Sequence, residues 1–152
     1  FSNCTVKNKI VDPFCGTGGI LIEIANMEIT GIGIDILDKM VECSIGNLKH
    51  YNLEGEIIQG DIQKIQDYNT DAIVTDPPYG ISTTTKGEGI EELMLRSLSL
   101  FNKKLNPGQR VVMAISKPEL IKNNNFRILY QFEWYIHKSL TRNIIVMEKI
   151  NI

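Results

Sequence analysis

A chain of 152 residues that is 43% hydrophobic and 22% charged is sized for one core, so we expect a single domain over residues 1–152. A net charge of −2 and a pI near 5.7 exclude a chain that grips nucleic acid by charge alone, because phosphate contacts need clustered Lys and Arg. Apolar runs are strand-sized, and Cys4, Cys15 and Cys43 fit neither a disulfide framework nor a zinc site, so we expect a cytoplasmic protein with reduced thiols, no membrane span and no metal.

The chain begins at Phe1 without a methionine and reaches its first apolar run by Lys9, and we expect it to be the catalytic portion of a longer protein. The first strand is read at Lys9 to Asp12. After Gly18-Gly19 comes a helix with Ile20, Leu21, Ile24 and Ala25 on one face. The second strand is Ile29 to Asp35. The second helix, Leu37 to His50, turns Met40, Val41, Ser44, Ile45 and Leu48 to the core, and Cys43 is expected among them. Strands at Glu56 to Gly60 and Asp71 to Asp76 follow. A third helix carries Leu93, Met94, Leu98 and Phe101, and the turn Asn106-Pro107-Gly108 leads to a strand at Gln109 to Ile115. A short helix near Pro118 to Lys122 precedes two closing strands, Ile128 to Lys138 and Asn143 to Ile150. Their four-residue link, Ser139 to Arg142, is too short for a parallel crossover and predicts an antiparallel hairpin. Alternation of strand and helix otherwise predicts a Rossmann-like α/β fold: a doubly wound, mostly parallel, seven-stranded sheet.

Each of the first four strands delivers an aspartate at its carboxyl end: Asp12, Asp35, Asp61 and Asp76. In an open doubly wound sheet, ligands bind outside those ends, where strand order reverses. Asp12-Pro13 and Asp76-Pro77 are therefore expected to face each other across a cleft.

The glycine loop Asp12-Pro13-Phe14-Cys15-Gly16-Thr17-Gly18-Gly19 follows a strand and opens a helix, and glycines there let a ligand approach the backbone. A dinucleotide fingerprint would also want an acid about twenty residues on. Asp35 supplies it, but the glycine spacing fits poorly. Charge discriminates better. A pyrophosphate between Asp12 and Asp76 would meet repulsion of roughly 4 kcal/mol per unit-charge pair at about 4 Å and a dielectric near 20. A cationic ligand would be attracted instead. S-adenosylmethionine carries a sulfonium and an ammonium, and Asp61 is placed to accept from its adenine amine. Asp12 and Asp61 equally suit helix N-caps or turns.

Asp76-Pro77-Pro78-Tyr79-Gly80 follows the apolar run Ala72 to Thr75. Proline fixes its own φ and holds the preceding residue extended, so the segment is a stiff acidic loop with an aromatic face.

With DPFCGTGG at 12–19 and DPPYG at 76–80, the chain resembles the class I methyltransferases that modify exocyclic amines. It is most similar to the tRNA guanine-N2 methyltransferases of the position-ten guanine, also through GIDI at 33–36, QGD at 59–61 and SLTR at 139–142. That resemblance implies the class I methyltransferase fold and S-adenosylmethionine as cofactor. It implies cofactor contacts at Asp12, Phe14, Gly16, Thr17, Gly18, Asp35, Ile36, Asp61 and Ile62. The catalytic loop would be Asp76, Pro77, Pro78 and Tyr79, with Tyr79, Gly80 and Arg142 toward the substrate. Full-length members carry an RNA-binding THUMP domain that this chain lacks, so tRNA would be delivered by a domain outside it.

The chemistry follows from the residues. An exocyclic amine on a nucleobase is a poor nucleophile because its lone pair is delocalised into the ring. Hydrogen bonds to the Asp76 carboxylate and the Pro77 carbonyl would favour a more tetrahedral nitrogen, and Tyr79 offers a face for the unstacked base. The loop from Gly80 to Gly89 suits either a cover over the substrate or a plain solvated loop. Arg142 and Lys138 suit phosphate contacts or ordinary surface charge. His50 and His137 are read as structural, and Trp134 as packing. Alternatives are a DNA adenine-N6 or rRNA guanine-N2 methyltransferase, a glutamine-N5 enzyme (disfavoured because Asn would stand at Asp76), a nicotinamide-dependent oxidoreductase, or a non-catalytic subunit.

Overall fold

The computed structural model describes residues 8–78, 88–115, 117–121, 125–137 and 140–151. Seven strands form one sheet: β1 Lys9–Asp12, β2 Thr30–Asp35, β3 Glu56–Gln59, β4 Ala72–Thr75, β5 Arg110–Ile115, β6 Phe126–His137 and β7 Leu140–Lys149. Helices α1 (Gly19–Asn26), α2 (Asp38–His50) and α3 (Ile90–Lys104) connect them, with 3₁₀ turns at Ile62–Asp67 and Pro118–Leu120. The spatial order is β3-β2-β1-β4-β5-β7-β6. β1 through β5 pair in parallel, while β7 runs antiparallel to both β5 and β6. The chain therefore reverses its winding between β1 and β4.

Period-two alternation along the central strands builds two cores. Ile10 of β1 and Ala72 of β4 face α1, where Leu21 and Ile24 are buried with Ile29 and Leu48. Their neighbours Val11 and Ile73 point the other way and pack with Met94, Leu98 and Phe101 of α3 and with Val111, Met113, Ile145 and Met147. Helix α3 also matches its dipole, with Glu91 and Glu92 in the first turn and Lys103 and Lys104 in the last. Gly33 of β2 lets α1 come close, because a Cβ there would collide with Leu21 and Cys15.

Four expectations are corrected. Helix α2 buries only Val41, Ser44 and Leu48, leaving Ile45 51% exposed, because one residue past Ser44 is about 100° around the helix. Of the two described cysteines, Cys15 and not Cys43 is buried in the core. Trp134 lies on the edge strand β6 and is 55% exposed rather than packed. The closing hairpin is antiparallel as expected, but β7 starts at Leu140, so Arg142 belongs to a strand and not to a connection.

Candidate active site

β1 stops at Asp12 because its side chain turns the chain: Asp12 Oδ1 accepts from the Phe14 amide at 3.1 Å. The glycine loop then lies against β2. The Cys15 amide donates to the Ile34 carbonyl at 3.0 Å, and the Gly16 amide donates to Asp35 Oδ2 at 2.9 Å. Asp35 Oδ1 takes the Leu37 amide at 2.9 Å, so one carboxylate holds the loop and the entry to α2 together. Gly16 and Gly18 have φ of +50° and +86°, a left-handed conformation that favours glycine. A side chain at Gly18 would collide with Ser44, whereas at Gly16 it would project into open space.

On the other side of the switch point, Thr75 Oγ1 donates to Asp12 Oδ1 at 2.7 Å and ties β4 to β1. Asp12 is only 1% exposed. Burial pushes its carboxyl up to about 7, against the lowering effect of Thr75 and Phe14, with the Asp76 and Asp35 charges adding to the rise. The expectation that Asp12 faces the cleft is thus replaced by a buried anchor beneath it. Asp76 is the residue at the rim: burial raises its carboxyl and Arg142 opposes the rise. Arg142 Nη1 donates to Asp76 Oδ2 at 3.1 Å. Pro77 is buried and Pro78 lines the crevice. Tyr79, Gly80, the rest of the loop to Gly87, Cys4, Lys138 and Ser139 lie outside the described residues.

Asp61 begins the 3₁₀ turn Ile62–Asp67, accepting from the Gln63 amide at 3.0 Å, so its N-cap reading is realised. It also carries a partner that sequence reasoning missed. Arg96 of α3 grips it with Nη1 at 2.7 Å and Nη2 at 3.1 Å. The same guanidinium holds Glu88 through Nε at 2.9 Å and Nη2 at 2.7 Å. Arg96 holds the Asp61 carboxyl below the usual carboxylate range, and the two acids raise the guanidinium in turn.

These elements enclose a cavity of about 390 Å³. Of the residues expected at a site, Phe14, Gly16, Asp35, Ile36, Asp61, Ile62, Asp76 and Pro78 line it. Asp12, Pro77, Thr17, Gly18 and Arg142 do not; Thr17 is exposed and its carbonyl accepts from Asn47 Nδ2 at 2.8 Å. Leu37, Met40, Leu93, Arg96 and Glu88 line it unforeseen. Met40 was legible as an apolar helix position, but its turn toward the crevice instead of the core depends on where α2 sits. Among the described residues no cluster of His, Cys, Asp or Glu suits a metal, and no helix is long and apolar enough to cross a membrane.

Strand order and crevice together define the class: a doubly wound α/β domain, closed by an antiparallel hairpin, with carboxylates at its switch point. The fold matches TrmN from Thermus thermophilus with a TM-score of 0.84 at 20% identity, covering 98% of this chain and 46% of that one. The chain belongs to the family described as UPF0020: RMKL-like, methyltransferase domain, whose pattern matches residues 1–128. It is 41% identical over 154 residues to the tRNA (guanine(10)-N2)-dimethyltransferase of Methanothermobacter thermautotrophicus, covering 98% of this chain and 46% of that protein. It is 43% identical over 150 residues to the probable tRNA (guanine(10)-N2)-dimethyltransferase of Methanothermococcus thermolithotrophicus, covering 92% of this chain and 88% of the relative. The chain thus spans about half the length of the first of these relatives.

Proposed function

We propose that the chain is the catalytic domain of an enzyme that transfers methyl from S-adenosylmethionine to the exocyclic N2 amine of a guanine in tRNA. The observation that carries the reading is the placement of Asp76-Pro77-Pro78 at the switch point, on the rim of a cavity whose other lining acids are Asp35, Asp61 and Glu88. The names of the relatives at 41% and 43% identity direct it to guanine N2 of tRNA.

The residues present suit the donor. The cavity is of ordinary small-molecule size, its rim acids favour a cation, and the bare Gly16 backbone leaves room for close approach. Asp35, although it accepts two amides, keeps lone pairs for ribose hydroxyls. Asp61 would accept from the adenine amine and Gly16 would lie beside the methionine portion. S-adenosylmethionine, when bound, supplies an electrophilic methyl on a sulfonium.

The chain's own residues do the rest. The Asp76 carboxylate and Pro77 carbonyl accept the amine protons, draw the nitrogen lone pair out of the ring plane and aim it at the donor site. Asp76 takes the proton released on methylation, a general-base contribution on the order of 10²–10⁴ in rate. Orientation contributes more, up to about 7–11 kcal/mol. RNA affinity at a net charge of −2 requires a basic surface elsewhere, so docking belongs to another domain or partner.

Nucleoside mass spectrometry of tRNA treated with the full-length protein tests the reading, with N2-methylated guanosine expected. Asp76→Ala should abolish transfer while calorimetry still registers S-adenosylhomocysteine with affinity within a few-fold of the parent protein. Methylated adenine in place of guanine, or full turnover by the variant, would refute it.

A further inference from the structure

Arg142 reaches Asp76, at the rim of the crevice, from the antiparallel side of the sheet. It sits on β7, where Trp134 of β6 is its register partner, and it meets an acid 66 positions earlier in sequence. The two side chains are 27% and 36% exposed, which puts the pair at the boundary between core and cavity.

We propose that Arg142 is a positioning residue: its guanidinium clamps the Asp76 carboxylate at the rim of the crevice, so that the substrate amine meets an acceptor already oriented. The inference rests on the methyl-transfer reading of the site, but it concerns how the acid is held and not which base it serves.

Backbone rigidity alone does not orient Asp76. Pro77 fixes the main chain on its C-terminal side, yet the two side-chain torsions of an aspartate stay open. A contact on Oδ2 at 3.1 Å from a planar donor removes that freedom. The surroundings make the same contact electrostatically necessary. Asp12 of β1 lies beneath the rim, joined to β4 through Thr75, and Asp35 of β2 lies beyond it. Across the cavity Asp61 and Glu88 add two more acids, and Arg96, the other guanidinium there, is engaged with both. Among the described residues, Arg142 on β7 is a cation set against Asp76. Burial favours the protonated acid, and a protonated Asp76 would offer a hydrogen where the amine also offers one. Arg142 opposes that outcome. The hydrogen bond to Asp76 sets this role beside the two expected for Arg142, phosphate contact or surface charge.

The test uses the full-length protein with Arg142→Met and Arg142→Lys, assayed for tRNA methylation across pH 5 to 8.5 and for carboxyl titration by NMR of [¹³Cγ]aspartate. Arg142→Met should lower kcat near pH 6 about tenfold, leave KM for tRNA within about twofold and move the acid limb of the rate profile up by about one pH unit. Arg142→Lys should restore part of the loss. The Asp76 carboxyl should titrate at higher pH in Arg142→Met, with the other aspartate signals dispersed as in the parent. A raised KM for tRNA with an unmoved acid limb would make Arg142 a phosphate contact and overturn the proposal. An unshifted Asp76 titration would overturn it too. Because the NMR titration needs no substrate, it decides this inference even if the parent protein makes no methylated guanosine, a result that would count against the functional reading alone.

Discussion

Asp12→Asn isolates the cost of the buried acid under the crevice. In the unfolded chain this carboxyl ionises near 3.8, and in the folded chain near 7. At about 1.4 kcal/mol per pH unit, the folded state disfavours the ionised form by about 4 kcal/mol. The folded chain binds the proton more tightly, so the stabilising contribution is complete below the unfolded value and is lost as pH rises through the folded one. Between pH 5 and pH 8 the loss comes to about 2–3 kcal/mol. Asparagine keeps the oxygen that accepts from Thr75 and Phe14 and cannot ionise. Urea denaturation of both proteins at half-unit steps of pH gives the comparison: the parent should lose that stability relative to Asp12→Asn, and the variant should be the more stable of the two at pH 8. Parallel stability curves across this range would show that Asp12 is not a titrating group, and the account of its burial would be wrong.

Glycine substitutions should separate loop strain from ligand contact. Gly18→Ala places a methyl against Ser44 at a φ of +86° and should cost about 2 kcal/mol or more in denaturation experiments, only part of which a second change, Ser44→Gly, returns. Gly16→Ala meets no atom and should cost about 1 kcal/mol of stability, yet weaken S-adenosylhomocysteine in calorimetry by more than Gly18→Ala does per unit of stability lost. Arg96→Met should change stability by about 1 kcal/mol or less, because its ion pairs are partly solvated, while the Asp61 carboxyl returns toward its ordinary range in an NMR titration and S-adenosylhomocysteine affinity falls by about three- to tenfold.

What could be read from the residues follows how local each cause is. β1 was bounded correctly at Lys9 and Asp12 because a short apolar run ending in Asp-Pro has both an apolar signal and a stop. The four strand-end aspartates were visible because parallel strands share one carboxyl edge. Which of them faces the cavity was not. Asp12 and Asp76 occupy equivalent positions before proline, yet Asp12 curls under its own loop to the Phe14 amide and Asp76 stays at the rim. Arg96 and Arg142 were harder still. Each reaches its acid across the fold, separated by 35 and 66 positions, and no periodicity encodes such a meeting. Arg142 was further disguised by the β6–β7 link, which looked like a four-residue loop but continues as strand.

The same long-range contacts explain how four carboxylates share one edge of a sheet. Ionised and unpaired, they would repel by several kcal/mol in total at the effective dielectric of a protein surface. Each is relieved by a different device. Asp35 accepts two backbone amides, Asp61 shares a guanidinium with Glu88, Asp76 faces Arg142, and Asp12 holds a proton near neutral pH. Only the first three line the cavity, and the amides of Asp35 carry no full positive charge to cancel its own. The residual negative potential is therefore shared between Asp35, beside the glycine loop, and the Asp61–Glu88 pair, whose two carboxylates share the single Arg96 guanidinium, while the Asp76 side is tempered by Arg142. A cationic donor entering this crevice would be drawn to the side of Asp35, Asp61 and Glu88, leaving the Asp76 rim to a neutral planar amine. On the proposed methyl-transfer reading, that division of charge would draw the electrophile to one side of the crevice and leave the Asp76 rim to the acceptor, the separation that transfer between them requires.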